Sequence, residues 1–201
     1  MTVLPVELSA YKGKFDGLDI HIIGKGPSLN SKKPFADFES KICIGINNVY
    51  RYFPHCDFVI MWHKEVFEDD AKFLSIQNDF TLIFSDFKGM KTNNGIKVPY
   101  AGEFVRNTSD VNEFYDLRNN KWMYKATFLS AIKFALLLGS KKIHLHGFDF
   151  SWAHGRAVEN DLIIDIPLRK FTHDEIMVLQ KKSLLNIIKH AAQNNVEVVW
   201  P

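Results

Sequence analysis

Asp19-Ile-His-Ile-Ile-Gly-Lys-Gly-Pro-Ser-Leu-Asn30 is the stretch whose reading decides the fold. Its apolar run, Ile20 to Ile23, breaks into Gly24-Lys25-Gly26-Pro27-Ser28, and the chain then turns polar. A strand that ends in a glycine-rich turn exposes backbone N–H groups and lets a ligand approach the main chain closely. In open α/β sheets such a turn, at the carboxyl end of a strand, is where nucleotides bind. The motif is not G-x-G-x-x-G, because Pro27 and Ser28 follow the second glycine, and no Gly-Lys-Ser/Thr closes it as a P-loop. A strand-to-loop turn without a ligand stays open beside the nucleotide reading.

Outward from that turn, short apolar runs recur at 42–46, 57–61, 80–84, 142–146 and 196–200, and with 19–23 they read as strands. Phe58-Val-Ile-Met61 and Leu82-Ile-Phe84 are hydrophobic on both sides, as in a parallel sheet covered on both faces. Helical patterns lie between the strands. Glu65 to Gln77 sets Val66, Phe67, Phe73 and Leu74 near one face. Phe128 to Leu138 is apolar enough for a buried helix, with Gly139 as its stop. Thr172-His-Asp-Glu175 is a capping box ahead of Ile176 to Gln193, and Asn194-Asn195 ends that helix. Segments 85–121 and 147–171 read as irregular and lid-like. The expectation is an α/β fold: a single Rossmann-like domain over residues 1–201, its mostly parallel sheet flanked by helices on both faces.

Bulk properties narrow the function classes. The chain has 201 residues, 46% hydrophobic and 24% charged, as in an ordinary soluble domain. A net charge of +2, with no basic patch interleaved with aromatics, argues against nucleic acid as a partner. No stretch approaches ~18 consecutive apolar residues, so no transmembrane helix is expected. Residues 1–14 lack the charged-then-apolar order of a secretory signal. Cys43 and Cys56 make no disulfide framework and read as buried free thiols of a reducing compartment. A cytoplasmic protein is the expectation, with peripheral membrane contact and a homo-oligomer left open.

A second segment pairs with the first: Lys125-Ala-Thr-Phe-Leu-Ser-Ala-Ile-Lys-Phe-Ala-Leu-Leu-Leu-Gly-Ser-Lys-Lys-Ile-His-Leu-His-Gly-Phe-Asp-Phe150. It reads as helix, glycine stop, basic turn and strand, with Gly147-Phe-Asp149 at the strand's carboxyl end. Ile44-Gly-Ile-Asn-Asn48 also ends a strand in hydrogen-bonding side chains. Three strand ends, at 24–28, 47–48 and 147–149, can therefore converge on one crevice.

This trio resembles bacterial sialyltransferases of the Campylobacter type and the related superfamily of 6-hydroxymethylpterin diphosphokinase-like proteins. Both carry Gly-x-Gly-Pro-Ser-Leu after the first strand. The resemblance covers residues 19–61 and 125–151, about a third of the chain, and implies a sialyltransferase-like variant of the GT-A fold. In those sialyltransferases an Asn after the second strand helps hold the nucleotide, and Asn47 or Asn48 stands there; Thr127 falls where their Ser lies. Gly147, Asp149 and Phe150 match their Gly-Ile-Asp-Phe. The departures are specific. Lys25 stands in place of their Asn, Phe128 replaces a Gly and makes a wall of the donor pocket bulkier, and His173 is several residues out of register with their general base. Their paired tyrosines are not recognisable between residues 150 and 172.

The resemblance implies a nucleotide-activated sugar, with a CMP-linked acidic sugar favoured, transferred to a glycan acceptor with inversion and without metal. Gly24, Lys25, Gly26, Pro27 and Ser28 would meet phosphate or ribose through backbone N–H groups, a hydroxyl and the Lys25 charge. Asn47 and Asn48 would read base or ribose edges. Asp149 would accept hydrogen bonds from ribose or from the first turn, with a cap on the following loop as the structural alternative. His173 and His154 are the candidate bases, and the dipole at a helix start would keep His173 neutral. Trp152 and Arg156, beside His154, could stack on a sugar and pair with its acid group. His144 and His146 share a strand face, but two strand histidines read as core rather than as a zinc site. No Asp-x-Asp follows the third strand, where Met61-Trp-His63 stands, so no cofactor is expected. Ser130-Ala-Ile-Lys133 matches Ser-x-x-Lys without its partner motifs and reads as chance. The alternatives are an ATP- and magnesium-dependent pyrophosphoryl transferase of the pterin diphosphokinase-like kind, and a noncatalytic member of the fold.

Overall fold

A computed structural model describes residues 10–62, 64–77, 79–85, 95–98, 127–150 and 173–200. Among them seven strands form one sheet: β1 (Asp19–Ile23), β2 (Ile42–Ile46), β3 (Phe58–Met61), β4 (Thr81–Ser85), β5 (Gly95–Val98), β6 (Lys142–His146) and β7 (Glu197–Val199). The order is β5-β4-β3-β2-β1-β6-β7, and every neighbouring pair is parallel. Among the described residues four α-helices accompany it: α1 (Lys64–Asp69), α2 (Ala71–Leu74), α3 (Thr127–Leu137) and α4 (His173–Gln193).

The strands are continuous apolar runs because both sides of them are buried. Ile20, Ile22, Ile23, Ile44, Val59, Ile60, Leu82 and Ile83 have no exposed surface. On one face Ile20, Ile22, Ile60, Ile143 and Leu145 pack with Ile132, Phe134 and Ala135 of α3 and Leu184 and Ile187 of α4. On the other, Ile23, Cys43, Val59 and Leu82 pack with Phe35, Phe38 and Phe53 from the turns and Val66, Phe67 and Leu74 from α1 and α2. Phe35 and Phe38 each lie 5.1 Å from Phe53 in edge-on geometry, the arrangement aromatic quadrupoles favour. Cys43 and Cys56 are buried and unpaired.

Three expectations change. The stretch 85–121 contains β5, whose four residues include Lys97 and sit at the sheet edge, where an apolar run is not required. The helix expected over 65–77 is two pieces. Asp70, at φ −108 and ψ 10, separates them while its carboxylate receives Tyr50 Oη and the Arg51 guanidinium. The sheet is wholly parallel among the described residues. Other limits fall close to expectation: Gly139, at φ +86, stops α3, and Asn195, at φ +59, turns the chain from α4 into β7. No described helix is long and apolar enough to cross a membrane.

The strand order reverses at β1, whose neighbours are β2 and β6. In open α/β sheets a reversal of this kind is where a crevice forms outside the carboxyl ends of the strands.

Candidate functional site at the carboxyl ends of the strands

Two turns meet at this reversal. The Gly24 N–H donates to the His146 carbonyl at 2.7 Å, and the Gly26 N–H donates to the Gly147 carbonyl at 2.8 Å. Side chains are excluded from the contact. A Cβ on Gly24 would lie 2.5 Å from the Gly147 oxygen, and one on Gly26 only 1.9 Å from Asp149 Oδ2. Gly147 also adopts φ +72, open to glycine at little cost. Pro27 begins a 3₁₀ helix, Pro27–Lys32, where its missing N–H costs nothing.

Asp149 Oδ2 accepts both the Ser28 N–H at 3.2 Å and the Ser28 hydroxyl at 3.0 Å. Of the readings open for Asp149, the bond to the first turn is seen among the described residues. The Ser28 hydroxyl proton is directed to Asp149, leaving the oxygen's remaining lone-pair capacity for another donor.

Lys25 Nζ donates to Asn48 Oδ1 at 2.7 Å, and Asn48 is buried. Asn47 opens the 3₁₀ turn Asn47–Arg51 at φ +52, a left-handed conformation Asn tolerates better than most residues. Its Oδ1 accepts the Thr127 hydroxyl at 3.3 Å, tying the first residue of α3 to the end of β2. The structure thus brings together Gly24, Lys25, Gly26, Pro27, Ser28, Asn47, Asn48, Thr127, Gly147 and Asp149. One cation lies among hydrogen-bonding groups, beside the amino end of an eleven-residue helix.

His173 is the first residue of α4, which runs back along the sheet and so begins at this same edge. His154, Trp152 and Arg156 lie outside the described residues. Phe128 is buried, edge-on to Phe148 at 5.9 Å and Phe150 at 5.6 Å, so its ring belongs to an aromatic cluster beneath the β6 turn.

Two buried groups near the site were not singled out as functional from sequence. The Trp62 indole N–H donates to Ser130 Oγ at 2.7 Å, joining the end of β3 to α3. Lys133, one turn further along α3, is 1% exposed, and burial brings its pKa down to about 7. The Ser130-x-x-Lys133 spacing therefore marks a buried helix face, with the serine held by an indole. His144 and His146 stand beside His21 on one sheet face, yet no group of three or more His, Cys, Asp or Glu among the described residues is arranged to hold a metal ion.

No family model matches the chain, and no curated protein matches it. Solved structures do. The chain is similar to the sialyltransferase CstII of Campylobacter jejuni in complex with a substrate analogue, cytidine-5′-monophosphate, at 18% identity and a TM-score of 0.50 over 84% of this chain and 77% of that one. A single-residue variant of Cst-II in complex with CMP gives the same identity and TM-score, over 84% and 78%. These structures lend nothing to the resemblance to pterin diphosphokinases. The fold is sialyltransferase-like.

Proposed function

We propose that this chain is a nucleotide-sugar-dependent glycosyltransferase whose donor is a CMP-linked acidic sugar. One observation carries the reading: three strand ends distant in sequence are bonded into a single polar edge through Ser28–Asp149, Lys25–Asn48 and Asn47–Thr127. That edge offers what a nucleoside phosphate needs. The Lys25 ammonium and the amino end of α3 balance the phosphate charge. The Asn47 and Asn48 amides pair with base or ribose edges, and Asp149 sets the Ser28 turn.

In the transfer an acceptor hydroxyl oxygen forms a bond to the anomeric carbon on the face opposite the leaving group. The bond from that carbon to the phosphate oxygen breaks, and CMP departs with the electron pair. A base takes the hydroxyl proton, and His173 or His154 serves as that base. The Lys25 charge remains on the departing phosphate, so the reaction needs no metal ion. In this reading Trp152 stacks on the sugar and Arg156 pairs with its acid group.

Thermal-shift measurements with CMP, CDP, ATP and GTP, each with and without magnesium, test the donor class. Stabilisation by CMP alone supports the proposal. Stabilisation only by ATP with magnesium replaces it with pyrophosphoryl transfer, and no shift with any nucleotide replaces it with a noncatalytic role. His173→Ala should abolish transfer while leaving the CMP shift intact; unchanged turnover moves the base to His154.

A further inference from the structure

Three imidazoles are stacked directly below the glycine turn. His21 of β1 stands in register with His144 of β6, their rings 4.5 Å apart and 7° from parallel. The His146 ring lies 5.2 Å from that of His21 at 12°. His21 Nδ1 and His146 Nε2 are 3.0 Å apart, a contact in which one nitrogen donates and the other accepts. It requires at least one neutral ring, because two imidazoliums would turn N–H groups against each other.

The surroundings disfavour charge on His21 and His146. Phe38 lies edge-on to His21 at 5.7 Å and to His146 at 5.1 Å. Lys41 faces both rings, and Lys32 faces His146. Asp19, the one carboxylate at the stack among the described residues, bonds His144 at 3.0 Å, while Lys142 beside it pairs with Glu197 at 3.0 Å. Burial first, then the neighbouring rings and lysines, holds His21 down to about 3 and His146 to about 4.

The stack is joined to the turn by main chain. His146 supplies the carbonyl that receives the Gly24 N–H, and Gly147 the carbonyl that receives the Gly26 N–H. His21 lies three residues before Gly24 on the same strand. We propose that the His21–His144–His146 stack is a proton-linked switch that releases the Gly24–Ser28 turn from the end of β6 when the His21–His146 pair becomes doubly charged. Like charges at hydrogen-bond distance drive the rings apart. Each ring is anchored to one of the two strands, so their separation pulls on the bonds that stitch the turns together. The regulatory consequence, a donor site loosened in acid, rests on the glycosyltransferase reading. The motion of the turn does not.

A nucleotide-free NMR titration from about pH 7.5 to about pH 2 tests it, following the three rings and the Gly24 and Gly26 amides against the ordinary histidine value near 6.5. His21 and His146 should stay neutral well below that value, and both glycine amides should move with the ring midpoint. His146→Gln should abolish the movement of the glycine amides. If that variant does not fold, His144→Gln, at the more exposed end of the stack, should raise the midpoints of His21 and the glycine amides together. Rings that titrate while the amides stay still would overturn the switch. So would amide midpoints unchanged by the substitution, or global unfolding before the amides move. Because no nucleotide is present, failure of the switch and failure of CMP to bind are separate results.

Discussion

Replacing Gly26 with alanine separates what the backbone tolerates from what the site tolerates. Gly26 has φ −69 and ψ 154, a conformation any residue adopts. Through the unfolded state alone, Gly26→Ala would stabilise the protein by about 0.4–1 kcal/mol. The contacts act the other way. The new methyl carbon would lie 1.9 Å from Asp149 Oδ2 and 2.7 Å from the Gly147 carbonyl oxygen, both far inside van der Waals contact. Asp149 must swing out and give up its two bonds from Ser28. Hydrogen bonds to a charged group contribute about 1.5–3 kcal/mol each, but Ser28 is exposed and water takes over much of the loss, leaving roughly 1 kcal/mol apiece. The Gly147 carbonyl can retreat only by weakening the bond from the Gly26 N–H, roughly another 1 kcal/mol. The net expectation is a destabilisation of about 2–3 kcal/mol. Urea denaturation followed by tryptophan fluorescence reads it directly. The attribution is checked in an Asp149→Ala background, where the same substitution should cost about 1–2 kcal/mol less because the carboxylate is no longer there to displace. A Gly26→Ala protein as stable as its parent, or an equal cost in both backgrounds, refutes the steric account.

Two further predictions concern buried titrating groups. Lys133 has a folded pKa of about 7, below that of an unfolded lysine, so the unfolded chain holds the extra proton above neutrality and stability rises with pH in that range. Lys133→Met should raise stability at pH 7 by about 1–2 kcal/mol in urea titrations and flatten the alkaline rise; a destabilised variant or an unchanged slope counts against it. His21 and His146 have folded values of about 3 and about 4, so the unfolded chain takes up protons first as the pH falls below its own value. The contribution of these two rings should be constant above about pH 7.5 and should lower stability by about 2 kcal/mol at about pH 5.5, measured as a fall in urea midpoint; an acid-insensitive midpoint would show that the rings are not held neutral.

The parts of the fold that show in the sequence are those governed by local patterning. Ile20 to Ile23 and Phe58 to Met61 are apolar throughout because both sheet faces are covered, and Gly139 and Asn195 stop helices by their own conformations. The convergence of Gly24, Asn47 and Gly147 also follows from local reading, since each ends a strand and parallel strands share a carboxyl edge. What depends on distant register does not show. His144 and His146 share a face by alternation alone, but His21 joins them only because β1 and β6 pair in one particular register. The same holds for Trp62 and Ser130, brought together by α3 lying across the end of β3. The β5 segment escapes because four residues at an open edge need no hydrophobic signature. The break at Asp70 escapes because its partners Tyr50 and Arg51 lie outside the helix.

The pairing of β1 with β6 has a consequence for how the protein is made. His21 and His146, at the closing seam, are 125 residues apart in sequence, whereas β1 to β5 adjoin one another in chain order. The sequential portion can associate while synthesis continues, because its contacts close shorter loops. The seam must wait until β6 has emerged, and the Gly24 and Gly26 amides find their carbonyl partners only then. A nascent chain that stops before residue 142 thus carries the complete glycine motif without the second wall of the crevice. Under the proposed function, competence to bind the nucleotide is therefore acquired late in biosynthesis, as the last central strand docks.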